Sequence, residues 1–208
     1  MAAQKLTERG RQTRQRIVEA TAQQILAAGI GGTSLDDVRA ATLTSKSQLF
    51  HYFPGGKAEL VRAVALWDAE QLLAAQEPEI HDLSTWESWE RWRRSLVRYY
   101  IDLGRWACPI GSLATQLAAT DAETARTIAG LVAAWRDLLT AGVRRMQAAG
   151  LVDPAADPTR MAAAMLAAIQ GGLVLSQPEG SGWPLEAALD HALVALTAAA
   201  TTAGARGS

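Results

Sequence analysis

The sequence predicts an all-α protein of about nine helices. Three observations support this fold class: apolar residues recur at intervals of three or four, Ala is prominent, and runs that would indicate strands are nearly absent. The 208 residues, 49% hydrophobic and 20% charged, are enough for one large domain or two smaller ones with a sizeable core.

The composition also indicates the compartment. A single cysteine, Cys108, excludes an internal disulfide framework and fits a reducing environment. The polar, basic start MAAQKLTERGRQTRQR lacks the apolar stretch of a secretory signal. The longest apolar run, 161–175, is too short and too rich in Ala and Gly to predict a membrane span. We therefore expect a cytoplasmic protein with no membrane partner.

Charge is divided unevenly along the chain. Residues 1–62 hold nine Lys or Arg and five Asp or Glu, hence +4, whereas the remainder holds eleven and sixteen, hence −5. This asymmetry indicates that the N-terminal part meets a polyanion. The alternative, that like charges cluster by chance on solvated faces, stays open on charge alone.

The first three predicted helices are close together. After a polar arm of about ten residues, apolar spacing predicts a helix over 13–28 that Gly29 ends. Thr33 and Ser34 then cap a second helix. Residues 42–44 form a corner of the length that joins the two helices of a helix-turn-helix.

The third helix has two unlike halves. Residues 44–48 can all donate hydrogen bonds, and the apolar Leu49, Phe50 and Phe53 follow. The apolar half is expected to anchor the helix in the core, which leaves the polar half to contact something outside. Hydroxyls and free N–H groups at a helix start suit phosphates and base edges. The stretch therefore predicts a helix that reads DNA.

The residues around this corner resemble those of a known family. The order T-S-L-x-x-V-x-x-A, a corner, then T-S-K-S-x-L-F-x-Y-F-P-x-G-K-x-x-L is similar to the DNA-binding domain of TetR-family bacterial regulators, over residues 13–62. The resemblance implies a three-helix helix-turn-helix head over 1–62 and a larger ligand-binding and dimerisation body over 63–208. In that body, CPIGSLATQL and AAIQGGLVLSQ resemble a recurrent TetR subgroup, without indicating a ligand.

Nine residues are candidates for DNA contact. Lys46, Ser47 and Gln48 are of the types that reach base edges in the major groove, since Gln can bond adenine, Lys can reach guanine and Ser serves either. The other six are candidates for phosphate contacts, which hold register without reading sequence: Thr33, Thr44, Ser45, His51, Tyr52 and Lys57. The resemblance implies this role for Thr33, Tyr52 and Lys57, while Ser45 also fits a helix cap and His51 an ordinary surface residue.

Two positions depart from the family pattern. The family usually has Gly where this chain has Leu43. A non-Gly residue at positive φ costs roughly 1 kcal/mol or more, so either the corner differs slightly or the strain is tolerated. The family also usually has Tyr, whose hydroxyl reaches a phosphate, at the position of Phe50. We expect Phe50 to pack in the core with Leu49 and Phe53 instead.

Six further helices are predicted after these three. They are expected to begin at Lys57, at a capping box of Ser84 and Glu87, at Ile110, at Thr120, at Asp157 and at Trp183. The helix after Asp157 is expected to end soon after Gly172, before a loop that contains Pro178. The tail beyond Thr201 is expected to be loose.

The body has an unusual number of tryptophans, seven in all. An aromatic stripe is most often core, and the alternative is an apolar pocket for a drug-sized aromatic or amphipathic ligand. The candidates for such an effector pocket are Trp92, Trp106, Cys108, Gln116, Trp135 and Met165. Cys108 is interpreted as an ordinary small residue rather than a redox sensor.

The last two long helices are apolar on more than one side. Such helices suit packing against both their own body and a partner. The resemblance implies that they form a four-helix dimer interface. Its candidate residues are Met161, Ile169, Leu173, Leu189, Leu193 and Leu196.

These observations favour a homodimeric DNA-binding regulator that acts on an approximately palindromic operator and responds to a small-molecule effector. A repressor is the first expectation, and an activator or a ligand-independent architectural factor would show the same features. The remaining alternative is a helical enzyme. Because His51, His81 and His191 are scattered and neither metal-ligand spacing nor a phosphate-cradling loop appears, we expect no enzyme activity, cofactor or metal.

Overall fold

The computed structural model describes residues 6–104, 106–108, 110–112, 114 and 122–204. Within these residues the chain has no strand, so the predicted all-α fold is confirmed. Nine helices have clear bounds: α1 Glu8–Gly32, α2 Leu35–Thr42, α3 Lys46–Tyr52, α4 Gly56–Ala74, a 3₁₀ helix Glu79–His81, α5 Trp86–Leu103, α6 Ala122–Ala148, α7 Pro158–Glu179 and α8 Trp183–Gly204. Residues 110–112 and 114 are also helical, and the rest of the helix predicted at Ile110 lies outside the described residues.

The chain divides into two compact units. The N-terminal unit contains Met1–Glu70 and Ser112–Ala129, and the C-terminal unit contains Gln71–Gly111 and Gly130–Ser208. The domain boundary between residues 62 and 63 stays a prediction.

The N-terminal unit is built on α1, which is longer than predicted. It begins at Glu8 because the Thr7 hydroxyl accepts a hydrogen bond from Gly10 N at 3.2 Å. Gly29, at φ 72° and ψ 170°, is not helical, so the regular helix stops there as predicted and a short helical turn follows up to Gly32. The side chains that form the core of the unit are apolar and almost fully buried: Ile17, Val18, Val38, Leu49, Phe53, Leu60, Val61 and Val64.

The start of α5 differs from the predicted capping box. Thr85, not Ser84, caps the helix, and its hydroxyl accepts a hydrogen bond from Ser88 N at 3.2 Å. Ser88 Oγ in turn accepts from Thr85 N at 3.1 Å, so Ser88 replaces the expected Glu87. The prediction was therefore wrong by one residue.

Helices α7 and α8 form an antiparallel pair within the C-terminal unit. Asp157 caps α7 as predicted, through hydrogen bonds from Thr159 N and Arg160 N. At Gly172 a Cβ atom would lie 2.7 Å from Leu185 Cα, so only glycine allows this close approach of the two backbones. The helix continues to Glu179, past its predicted end.

Length and composition alone would allow α7 to cross a membrane. Several of its apolar side chains are buried by the chain itself, as in a core helix of a globular protein. We therefore treat α7 as part of the folded C-terminal unit.

Candidate nucleic-acid interface

Hydrogen bonds close both ends of α2. Its capping box joins Ser34 and Asp37, each side chain accepting from the other's backbone N at 3.1 Å. The Ser34 hydroxyl and backbone N–H lower the pKa of Asp37. At the other end Leu43 adopts φ 51° and ψ 37°, and Thr44 N donates to Arg39 O at 3.1 Å. The corner thus keeps the left-handed geometry usual for glycine, and Leu43 tolerates the strain.

The first turn of α3 is polar and exposed. Ser45 Oγ accepts from Gln48 N at 3.1 Å, and Gln48 Oε1 accepts from Ser45 N at 3.0 Å. This second capping box holds the Gln48 side chain in one position. Lys46, Ser47 and Gln48 are all exposed, so the predicted base-contacting residues form one continuous surface.

The second half of α3 anchors it. Leu49 and Phe53, four residues apart and therefore on one face, are each 1% exposed. The Arg14 guanidinium carbon lies 5.0 Å from the Phe53 ring centroid. Phe50 points elsewhere and is 40% exposed, so the prediction that it belongs to the core is wrong. Its ring instead lies near Gly56, where a Cβ atom would be 3.7 Å away.

Two of the predicted phosphate contacts have buried side chains. Thr33 Oγ1 donates to Gly29 O at 2.9 Å, and Thr44 Oγ1 accepts from Thr42 Oγ1 at 2.8 Å. These hydroxyls stabilise the ends of α1 and α2. A phosphate contact from Thr33 or Thr44 would therefore require other atoms or a new side-chain position.

The remaining phosphate candidates lie nearer the surface. His51 is exposed and Tyr52 half-buried, with their rings edge to face and 5.1 Å apart between centroids. Lys57 Nζ donates to Ile30 O at 2.6 Å, which ties the start of α4 to the end of α1. An ammonium group has three hydrogens, so this bond leaves Lys57 two further hydrogen-bond donors.

Two candidates for the effector pocket meet at a residue that the sequence did not single out. Gln76 Oε1 accepts from Trp92 Nε1 at 2.9 Å and from Trp135 Nε1 at 3.1 Å. Its Nε2 donates to Leu72 O at 2.7 Å, and Gln76 is completely buried. Trp92 has no accessible surface either, so it does not line a water-sized space in this conformation. The sequence offered one indication of this role: Gln76 is a polar residue four positions after Leu72, where the apolar stripe of α4 would continue.

The other pocket candidates are dispersed. Trp106 lies against Gly182, where a Cβ atom would come within 2.5 Å of its ring. Cys108 is buried beside Tyr100, whose pKa is raised well above its usual value by burial and by Cys108. Met165 lines a groove between α7 and α8, and Gln116 lies outside the described residues.

Most of the predicted dimer residues already have partners within their own chain. Five of the six are buried by this single chain: Ile169, Leu173, Leu189, Leu193 and Leu196. Met161 is half-buried and lines the same groove as Met165, with a volume of about 350 Å³.

The large apolar residues that α7 and α8 do expose are not the six predicted dimer residues. Val174, Leu175, Trp183 and Val194 are about 60% exposed. The sequence contained a signal for them, because three consecutive apolar residues such as 173–175 cannot all face one side of a helix.

The N-terminal unit therefore has the arrangement of a helix-turn-helix DNA-binding protein: a short, capped helix with buried apolar anchors and an exposed polar turn.

Among the described residues, no group of three or more His, Cys, Asp or Glu side chains could hold a metal ion.

Comparison with known proteins gives the family. Residues 17–64 match the family of bacterial regulatory proteins called tetR, and residues 84–192 match the tetracyclin repressor-like C-terminal domain. An uncharacterised HTH-type transcriptional regulator from the lacX 3′ region of Lactococcus lactis subsp. lactis is 27% identical over 172 residues, which are 79% of this chain and 83% of that relative.

Solved structures agree on the fold. Regulatory protein TetR from Rhodobacter sphaeroides has a TM-score of 0.78 at 18% identity, covering 87% of this chain and 97% of that one. A TetR-family regulator from Agrobacterium tumefaciens has a TM-score of 0.77 at 19% identity, covering 90% and 99%. The chain belongs to the TetR family and is a DNA-binding transcriptional regulator.

Proposed function

We propose that this protein is a homodimeric, cytoplasmic repressor that binds an approximately palindromic operator and is released from it by a small apolar or aromatic effector. The observation that carries the DNA-binding part is the exposed turn of Lys46, Ser47 and Gln48 on a helix anchored by Leu49 and Phe53. Side chains of these types reach base edges. The anchors hold the backbone in place while the polar turn stays accessible.

The capping box supports a base-reading role for Gln48. Its Oε1 already accepts from Ser45 N, which fixes the side-chain torsions before DNA arrives. A carboxamide oxygen has a second lone pair, and Nε2 can donate, so the capped side chain could still accept from adenine N6 and donate to N7. A preorganised side chain loses less conformational freedom on binding.

The proposed dimer is supported by the apolar surface of α7 and α8. Val174, Leu175 and Val194 expose apolar side chains on two adjacent helices, and a second copy packed along the pair would cover them. A second copy related by a two-fold axis would present a second α3 to the DNA, which is why a palindrome is expected.

The effector part rests on the tryptophan-rich interior of the C-terminal unit. The described conformation buries Trp92 and Trp135 around Gln76, so an effector would have to displace side chains there or bind beside them. A ligand that binds this conformation and the DNA-bound one equally would change nothing; release requires a preference for one of them.

The test is an electrophoretic mobility shift with the full-length protein and the DNA upstream of its own coding sequence, against a scrambled duplex of equal length. We expect sequence-preferring binding that weakens steeply with salt, since phosphate contacts release counterions. Sedimentation should give a dimer on one palindromic site. Absence of any sequence preference under all ligand conditions would contradict the proposal. Activation rather than repression in a reporter assay would contradict only the sign of regulation.

A further inference from the structure

Leu43 combines two features that are unfavourable for a leucine side chain. It is the only non-glycine residue at positive φ among those the structure describes, at 51°, and its side chain is 91% exposed. A left-handed leucine is strained, and an exposed one gains nothing from burial. Neither cost is offset by a contact within the chain.

The backbone geometry of the corner does not require a leucine. Leu43 N donates to Ala40 O at 3.4 Å and Thr44 N to Arg39 O at 3.1 Å, and both bonds use main-chain atoms only. Glycine would make them without strain. An unexplained departure from a local rule is typical of a functional position.

The surroundings of Leu43 indicate what its side chain could meet. It lines an open depression of about 680 Å³ with Asp36, Arg39, Ala40, Thr44 and Ser45. Arg39 is paired with Asp36 at 2.6 Å, so its charge is already compensated. Because Arg39 is the only cation among the residues that line the depression, no unpaired positive charge is left there to attract a phosphate. The depression also continues directly into Ser45, the cap of the proposed reading helix.

We propose that Leu43 is a specificity residue of the DNA-binding surface, and that its side chain packs against the C5 methyl group of a thymine in the major groove. This inference rests on the proposed DNA-binding function of α3. Apolar side chains recognise thymine by this methyl group, which no other DNA base carries. An apolar side chain beside an already paired cation suits a base-edge contact better than a phosphate contact. Leu43 would then add an apolar contact to the polar ones of Lys46, Ser47 and Gln48.

The experiment uses the full-length protein and a duplex selected by the wild type from a random library. The Kd is measured by fluorescence anisotropy for this duplex and for versions in which each thymine in turn is replaced by deoxyuridine, which removes only the methyl group. For the wild type we expect one position per half-site at which the replacement weakens binding about fourfold. This is the change in Kd expected when one methyl-sized group is no longer buried.

Two variants complete the test. Leu43→Gly and Leu43→Asn both accept the left-handed conformation, so their Tm should not fall below that of the wild type. Both should bind the thymine duplex about fourfold or more weakly than the wild type does, and both should no longer distinguish thymine from uracil at that position.

Three results would overturn the inference. Unchanged affinity of Leu43→Gly would show that the side chain does not contact DNA; if that variant also failed to regulate a reporter, the side chain would face a protein partner instead. Weaker binding with the methyl sensitivity retained would place the contact elsewhere on the DNA. If the wild type selected no sequence, the proposed DNA-binding function itself would be wrong. The first two results would instead contradict only the role of Leu43.

Discussion

The two units of the molecule are stabilised in different ways. In the N-terminal unit, α2 and α3 are eight and seven residues long, and each begins with a capping box between residues three positions apart. In the C-terminal unit, the decisive contacts join distant parts of the chain, as Gln76 does with Trp135 and Gly172 with Leu185. The difference implies that exposed residues of the reading surface can change at little cost in stability, whereas substitutions at Gln76 or Gly172 should be costly.

The largest expected effect is that of Gln76→Ala. The substitution leaves two buried indole N–H groups without an acceptor and opens a cavity, so the free energy of unfolding should fall by about 3 to 5 kcal/mol. Urea unfolding followed by circular dichroism measures this. Gln71→Ala, at an exposed position of α4, is the control and should change stability by less than about 0.5 kcal/mol. A loss below 1 kcal/mol for Gln76→Ala would mean that the tryptophans do not depend on this residue.

The next largest effect on stability is expected at Gly172, and the adjacent Gly171 should show none of it. Gly172→Ala would bring a methyl group to 2.7 Å from Leu185 Cα, and should lower the free energy of unfolding by about 2 to 3 kcal/mol. Gly171 has no atom within 4 Å of a built Cβ, so Gly171→Ala should be neutral or raise stability by up to about 1 kcal/mol through helix propensity. Thermal unfolding of both variants at one protein concentration compares them. Equal effects would contradict the described packing of α7 on α8.

A smaller and pH-dependent effect is expected in the N-terminal unit. Burial raises the pKa of Asp68 from 3.8 to about 7. Because the folded-state pKa is the higher one, the contribution of this group to stability is greatest below pH 4 and is lost as the pH rises to 7. Asp68→Asn removes that dependence. Its stability relative to the wild type should therefore be higher at pH 8 than at pH 5, by about 2 kcal/mol.

Glu70→Gln is the matched control for Asp68, because Glu70 is an exposed carboxylate on the same helix. Because this variant retains Asp68, its difference from the wild type in free energy of unfolding should be the same at pH 5 and at pH 8 in urea unfolding. If Asp68→Asn followed the wild type in parallel from pH 5 to pH 8, Asp68 would be ionised and solvated in the folded protein.

The sequence predicted the N-terminal unit better than the interior of the C-terminal unit. Caps and corners depend on residues within four positions of each other, so Ser34, Ser45 and the corner at Leu43 could be found from the sequence. The all-α fold was predicted as well, because it requires only the spacing of apolar residues. Phe50 was misassigned because apolar character was taken for burial, although its neighbours Leu49 and Phe53 occupy the buried face.

The interior of the C-terminal unit could not be predicted in the same way. Nothing local to Gln76 indicates that Trp92 and Trp135 donate to it, since the partners are 16 and 59 residues away. The same holds for the predicted dimer residues. Helical spacing identified an apolar stripe, but only the packing of α7 on α8 shows that Leu173 faces inward while Val174 and Leu175 face outward.

The most direct test of the reading surface is the substitution Gln48→Glu. Glutamate keeps the acceptor that caps Ser45 N, so the fold and Tm should be preserved, but it replaces the amide donor with a carboxylate. We predict that the ratio of Kd values for a scrambled duplex and the selected operator falls about tenfold or more in this variant. Tyr52→Phe, which removes a proposed phosphate contact, should instead weaken both duplexes alike. An unchanged ratio in Gln48→Glu would mean that Gln48 only caps α3, and would contradict the account of α3 as the helix that reads sequence.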